Sequence, residues 1–477
     1  MKKNSPAWRS HKARFFGCMA AAVFLAGMSA SAAMAQSAQD DFIQGTQAYA
    51  RGDLETTFAR TLLAAQQGDA RAQVATGLMY ELGQGTERSG REALRWYREA
   101  VNQQYPMAFF KVGEAYEYGI GTRKSDEEAL SWYRRAAGAG YGDSAYVVAS
   151  WYRTGRGIAR DDASAARWMQ EAAKKGDVRA QKELGAMFMK GEGVVQSEEE
   201  AARWYRRAAD QGDAQSQYTL GLMHLFGRGV YQDPQDALTL FEKAAAQDYV
   251  DAWYELGMMY LQGEGQWRRS PEKGLAMLNR SAEAGDTRAM VALAHRYLEG
   301  QDVAQDYAAA LKWYERAADK GDAEAGFALG MMYLKGNGVP QDTMQALFWL
   351  KRAVAQGHTL AQFNLAVLYI RSATTPEDYT EAAKWFRAAA EAGHAEAQYN
   401  LGWLYANARG LPFSSDRALY WFRKAASQES PDAQYSLGVA YETGWYVEKD
   451  MIQARWWYEL AASKGDANAL KKLAELH

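Results

Sequence analysis

The residue types able to do chemistry are few and scattered. Five histidines lie beyond residue 35: His224, His295, His358, His394 and His477. Zinc needs three or four ligands within about 2.0–2.3 Å of one point. His358 and His394 are 36 residues apart, at equivalent places of a repeat. That separates them by about 10 Å, one helix packing distance. Both stand where Asp stands in other repeats, just before a helix, so they are expected to cap it. His224 replaces a tyrosine and is expected to be a core ring, while His295 stands at a variable helical position. Gly142-Asp143-Ser144-Ala145-Tyr146 is the nearest approach to a nucleophile elbow. It lacks the final glycine, and Ser144 fills a small position held elsewhere by Ala180 and Ala252. There is no H-E-x-x-H, no phosphate-binding G-x-x-x-x-G-K and no EF-hand loop. The recurrent G-x-G follows a helix rather than a strand, so it is no dinucleotide fingerprint. Paired acids such as Asp161-Asp162 and Glu198-Glu199-Glu200 open helices, where the helix dipole favours them. These residues predict no catalytic set, no cofactor and no metal.

What positions them is a repeat. Trp recurs at 96, 132, 168, 204, 313, 349, 385, 421 and 457, with Leu240 and Met277 in the two gaps. The period is 36 residues, with one 37-residue step near Trp267. Eleven repeats therefore run from Ala70 to Asp466. Each reads as two helices. In the fourth, Ala180, Leu184, Met187 and Phe188 share one face, Gly191-Glu192-Gly193-Val194 turns the chain, and Ala201, Trp204, Tyr205 and Ala208 share a second face. G-x-G begins at Gly83, Gly119, Gly155, Gly191, Gly227, Gly263 and Gly336, where glycine accepts the left-handed conformation that ends a helix.

Seven residues before each Trp position stands Ser89, Ser125, Asp161, Ser197, Asp233, Ser270, Asp306, Asp342, Asp378, Ser414 or Asp450. All are predicted to cap second helices. Asp177, Asp213, Asp286, Asp322 and Asp466 are predicted to cap first helices. Positions matching Ala201 and Ala208 are alanine except for Gly274 and Ser281, small enough to let the helices cross closely. Loops of the ninth and tenth repeats depart from the pattern at Arg371-Ser372-Ala373 and Ala408-Arg409-Gly410. Residues 36–69 read as a degenerate helical pair and 467–477 as a lone first helix, each a cap.

Residues 1–35 differ from the rest. Lys2, Lys3, Arg9, Lys12 and Arg14 precede an apolar stretch from Phe15 to Met28, then Ala33-Met34-Ala35. This is the pattern of a signal peptide cleaved after Ala35, and it predicts a periplasmic or secreted protein with no membrane insertion after cleavage. The sole cysteine, Cys18, leaves with the leader, so packing alone must stabilise the rest. Loss of five basic residues takes the formal charge from −3 to −8, 50 basic against 58 acidic. A mildly acidic chain is a poor partner for nucleic acid.

The combination A-x-x-x-L-G-x-x-Y, G-x-G-V and D-x-x-x-A-x-x-W-Y-x-x-A-A-x-x-G resembles the Sel-1-like repeat family. It stands nearly intact at Ala325-Leu329-Gly330-Tyr333, Gly336-Gly338-Val339, Asp342-Ala346-Trp349 and Ala353-Gly357. The resemblance implies an all-α, right-handed superhelical solenoid related to tetratricopeptide repeats. It also implies an adaptor that binds one or more proteins in envelope signalling, envelope assembly or host-factor binding. The alternative is a cell-wall or β-lactam-active hydrolase, but such family members carry a disulfide in every repeat.

In tetratricopeptide relatives the first-helix positions matching 182, 186 and 189 line the concave ligand groove. On a helical wheel they lie opposite the face of 180, 184, 187 and 188. The predicted partner-binding residues are Tyr218, Leu222 and Leu225; Tyr254, Met258 and Leu261; Phe327, Met331 and Leu334; Phe363, Val367 and Ile370; and Tyr399 and Trp403. The other reading of this stripe is contact between successive first helices. Trp267, Phe413, Trp445 and Tyr446 form a second candidate patch, on loops.

Overall fold

The computed structural model describes residues 30–263 and 269–476. Among these residues there are twenty-five helices and no strand. The expected leader up to residue 29, Trp267 and His477 lie outside them. The helices form two compact units, one ending at Gln247 and the other beginning at Asp248. None of the described helices is long and apolar enough to cross a membrane.

The N-terminal unit opens with two helices, Ala30–Ala50 and Leu54–Gln66, turned by Gly52 at φ 78°. The first runs through the expected cleavage point, and its Asp41 pairs with Arg60 of the second at 2.9 Å. Repeats 1 to 5 follow. Repeat 4 shows how local rules make each one. Its first helix, Val178–Lys190, is capped by Asp177 and ends on Gly191 at φ 74°, whose N–H donates to the Met187 carbonyl. Ser197 then accepts the Glu200 amide and starts the second helix, Glu198–Asp210. The Ser197 N–H donates back to the Phe188 carbonyl, which closes the loop onto the first helix.

The C-terminal unit holds repeats 6 to 11 and ends with the helix Ala467–Glu475. Its first helices are Val250–Gln262, Thr287–Glu299, Ala323–Lys335, Thr359–Arg371, Ala395–Ala406 and Pro431–Thr443.

Nine of the eleven predicted second-helix caps make their side-chain bond. Ser270 occupies the cap position without one. Asp378 is not a cap. The shortened loop of repeat 9 lets its second helix begin at Pro376, so Thr375 caps and Asp378 closes a capping box as the third helical residue.

The cores confirm the small crossing positions: Ala201, Ala208 and their equivalents are at most 1% exposed, Gly274 and Ser281 replacing alanine in repeat 6. The aromatic pair is not buried equally in every repeat. Trp96, Trp204, Trp313 and Trp349 are 6–8% exposed, whereas Trp132, Trp168, Trp385, Trp421 and Trp457 are half-buried. The residue that follows the Trp is buried in each of these repeats, with Tyr97, Tyr133, Tyr314, Phe386 and Tyr458 at 1% or less. Tyr97, Tyr133 and Tyr458 lie against a first-helix glycine of the same repeat, Gly77, Gly113 and Gly438. A Cβ added to Gly77 would sit 2.5 Å from Tyr97 Cε1, and one on Gly438 equally close to Tyr458.

A buried glutamine joins successive repeats. Gln181 Nε2 donates to the Ala173 carbonyl of the preceding second helix at 3.1 Å, and its Oε1 accepts from Gln211 at 2.7 Å. Gln73, Gln217 and Gln398 repeat both bonds. The Ala-Gln pair recurs visibly in the sequence, but only the fold reveals its acceptor.

Candidate partner-binding surface

The three first-helix positions chosen from the wheel behave differently, because neighbours approach each from a different side. At the first position, rings pack between successive repeats. Tyr254 carries the Arg288 guanidinium 4.5 Å above its centroid, Phe327 stacks on His358 at 4.8 Å and Phe363 on His394 at 4.5 Å. Tyr218 and Tyr399 also tilt against Phe241 and Phe422 of their own second helices, at 5.7 and 5.8 Å. All five rings are half-buried. Burial pushes the hydroxyls of Tyr254 and Tyr399 above the usual tyrosine range.

The third position turns toward the second helix instead of away from it. Leu261 is 3% exposed and fills the space left by Gly274, where a Cβ would meet Leu261 Cγ at 2.5 Å. Leu225, Leu334 and Ile370 are half-buried. Where the third residue is acidic, the second-helix tyrosine reaches it: Tyr97 donates to Glu81 at 2.8 Å and Tyr133 to Glu117 at 2.5 Å.

The second position is the most open. Leu222, Met258, Met331 and Val367 are half-buried, and Trp403 is 40% exposed. In repeat 7 this position holds His295, so that repeat continues the surface with Val291 and His295. In the C-terminal unit the face opens into a cavity of about 430 Å³, lined by Tyr254, Met258, Arg288, Val291, His295, Glu324 and four further residues. Tyr314 and His295 Nδ1 hydrogen bond at 2.9 Å. Arg288, His295 and Glu324 were not among the predicted binding residues, although the wheel register that selected Met258 also selects His295.

Repeats 2 to 4 of the N-terminal unit carry a different chemistry at or beside the equivalent positions. Lys111 pairs with Glu114, Arg153 with Glu183, and Lys182 with Asp213. Arg156 bridges Glu117 and Asp126 at 2.8 and 3.0 Å, which holds the Asp126 carboxyl below its usual range.

Three of the four loop aromatics lie together, and Trp267 is outside the described residues. Phe413 and Tyr446 are 46% and 58% exposed with rings 5.5 Å apart, and Trp445 packs against Tyr446 at 5.3 Å. Tyr420, Arg423, Lys424, Tyr446 and Val447 border a groove of about 570 Å³ with three other residues.

The residues considered for catalysis are used structurally. Ser144 is fully buried. His358 and His394 cap their helices, Nδ1 accepting the amides of Ala361 and Ala397 at 3.1 and 3.2 Å. His224 is 5% exposed and bonded to Arg206 through Nε2 at 2.9 Å. Among the described residues no three His, Cys, Asp or Glu side chains are grouped to hold a metal.

The comparisons agree with this architecture. The Sel1 repeat model matches eleven times without a gap, from 70–105 through 250–286 to 431–466. Among solved structures, the chain is similar to a protective antigen present in uropathogenic Escherichia coli strains that displays an SLR fold. The identity is 30% over 88% of this chain and 90% of that one, with a TM-score of 0.67. It is also similar to a Sel1 repeat protein from Oxalobacter formigenes, at 33% identity over 64% of this chain and 88% of that one, with a TM-score of 0.53. No curated protein matches. Sel1 repeat proteins generally bind other proteins. With eleven matched repeats and an all-helical solenoid fold, the chain belongs to the Sel1 repeat family.

Proposed function

We propose that this protein is an exported scaffold that holds partner proteins on the first-helix face of its C-terminal unit. One observation carries the reading. The second-position residues Met258, Met331, Val367 and Trp403 leave apolar surface partly open, whereas repeats 2 to 4 hold Glu114, Ser150 and Ala186 there, and ion pairs of Glu114, Arg153 and Lys182 lie along their first helices. Partner surfaces commonly combine an apolar centre with a polar rim, and Arg288, His295 and Glu324 supply that rim. Trp403, the most exposed of the predicted residues, is of the type most often energetically dominant at interfaces.

Export is supported by the basic, apolar and A-x-A order of residues 1–35. The similar Escherichia coli protein is itself a protective antigen, which suits a protein that leaves the cytoplasm. The test has two arms. Crosslinking and pull-down from the native cell envelope should recover a partner with the wild-type chain and lose it with Trp403→Ala and Met331→Glu. N-terminal sequencing of the exported protein should begin at Gln36. Undiminished capture by both variants, or an intact N-terminus in a cytoplasmic fraction, would overturn the corresponding half of the proposal.

A further inference from the structure

The first helices are capped by chemically different residues, and that difference has a consequence in repeat 10. Asp69, Asp177, Asp213, Asp286, Asp322 and Asp466 cap with a carboxylate. His394 caps Ala395–Ala406 with the lone pair of Nδ1, which accepts the Ala397 amide at 3.2 Å. An aspartate cap stays ionised throughout the neutral and mildly acidic range. An imidazole cap can accept only while Nδ1 is unprotonated, and imidazoles gain that proton between about pH 5 and 8.

We propose that His394 is an acid-sensitive clasp: its protonation releases the N-terminus of the first helix of repeat 10, which carries Tyr399 and Trp403. A protonated Nδ1 would place its N–H against the Ala397 N–H and a positive charge at the positive end of the helix dipole. Phe363 stacks on the ring at 4.5 Å and 25°, which holds the ring plane. A half-turn about Cβ–Cγ keeps that stacking but presents Cδ2–H, so neither orientation of the protonated ring offers the Ala397 amide an acceptor. A cation over Phe363 gains some attraction, and it does so equally in both orientations.

The charged neighbours offer little compensation. Glu396, two residues on, favours the charged form, yet burial dominates and holds the imidazole below its ordinary range. On the second helix of repeat 9, Lys384 pairs with Glu381, Arg387 donates to Tyr405, and Asp378 closes its capping box. Glu391, three residues before the ring, is exposed and makes no hydrogen bond to it among the described residues.

His358 supplies an internal control. Its Nδ1 caps Ala361 in the same way, but its Nε2 faces Glu324 Oε2 at 3.0 Å, with His295 Nε2 3.9 Å from the other carboxylate oxygen. Of the cations on the adjoining second helix, Arg352 is engaged by Asp319 and Lys351 lies over Tyr369. A protonated His358 therefore gains a carboxylate partner that His394 lacks.

The clasp stands on the cap geometry alone. Its effect on partner binding rests additionally on the proposed function. Hydrogen–deuterium exchange of the full chain, corrected for intrinsic rates, separates the two because it needs no partner. Between about pH 7.5 and 5.0, a window extended downward because the imidazole is held below its free value, amides at the start of repeat 10 should exchange roughly fivefold faster at the lower pH, the opening expected for loss of one cap. Repeats 4 and 8, capped by Asp177 and Asp322, should not change, and repeat 9 should respond less than repeat 10. His394→Asp installs the cap used elsewhere and should abolish the response, with exchange of histidine C2–H reporting a His394 titration on the acid side of a free imidazole. Equal protection of repeat 10 at both pH values, or an acid response that survives His394→Asp, would overturn the clasp.

Discussion

Gly157, the second glycine of its G-x-G, rests directly on the carbonyl of Asp126, the first residue of the preceding repeat's second helix. A Cβ at 157 would stand 2.7 Å from Asp126 O and 2.8 Å from its carbonyl carbon, at φ 68°. The same approach brings Gly193 onto Asp162, Gly229 onto Glu198 and Gly410 onto Tyr379. The loop is thus an inter-repeat contact as well as a turn, and Arg156 reinforces it by bonding the Asp126 carboxylate at 3.0 and 3.1 Å.

Gly157→Ala should therefore cost more than a glycine substitution at a free left-handed position. Gly140, at φ 95°, has nothing within 4 Å of an added Cβ, so Gly140→Ala measures backbone strain alone, about 1 kcal/mol or somewhat more. Gly157→Ala should add roughly 1–3 kcal/mol of overpacking. Urea titrations of the two variants check this, and equal midpoints would remove the contact from the account.

The neighbouring pair Trp385 and Phe386 separates size from burial. Phe386 is 1% exposed, whereas Trp385 is half-buried with Lys384 4.5 Å above its ring. Phe386→Ala should cost about 3–5 kcal/mol and Trp385→Ala clearly less, despite the larger ring. Thermal melts followed by circular dichroism decide the order.

Leu261 and Trp403 should respond in opposite assays. Leu261→Ala should lose about 2–5 kcal/mol of stability, the range for a buried leucine, because its side chain fills the gap beside Gly274. Trp403→Ala should move stability by less than about 1 kcal/mol while weakening partner capture. A large loss of melting temperature in Trp403→Ala would place it in the core instead of on the surface.

The C-terminal helix is tied down by a carboxylate. Glu442 accepts from Tyr458 at 2.5 Å and from Lys472 at 3.0 Å, and the Tyr458 hydrogen bond is the main cause of its lowered pKa. A carboxyl group with a depressed folded pKa contributes fully above its unfolded value, near 4.3, and loses that contribution as pH falls through the folded one. Glu442→Gln should lower stability by roughly 1–2 kcal/mol at pH 7, the scale of a charge-assisted bond, and the gap to wild type should close below about pH 4. A gap that persists at pH 2.5 would mean the side chain acts through packing.

The sequence determined what depends on short-range rules. The 36-residue period, the left-handed glycines, the capping Asp and Ser residues and the alanine crossing positions each follow from backbone sterics or hydrogen-bond demand within a few residues. Position 378 escaped this reading because Thr375 offered a competing cap in a shorter loop. The tertiary structure decided which sides of the helices remain open. A helical wheel gives angles about one axis and says nothing of the direction from which neighbours arrive. The third first-helix position is therefore covered by its own second helix at Glu81, through Tyr97, and at Leu261, through the space beside Gly274, while Leu225, Leu334 and Ile370 stay half-buried. The first position is shared with the next repeat, as Phe363 is with His394, and the second reaches the exposed class at Trp403. Burial at these positions is a property of two or three helices together, so no single helix's periodicity could contain it.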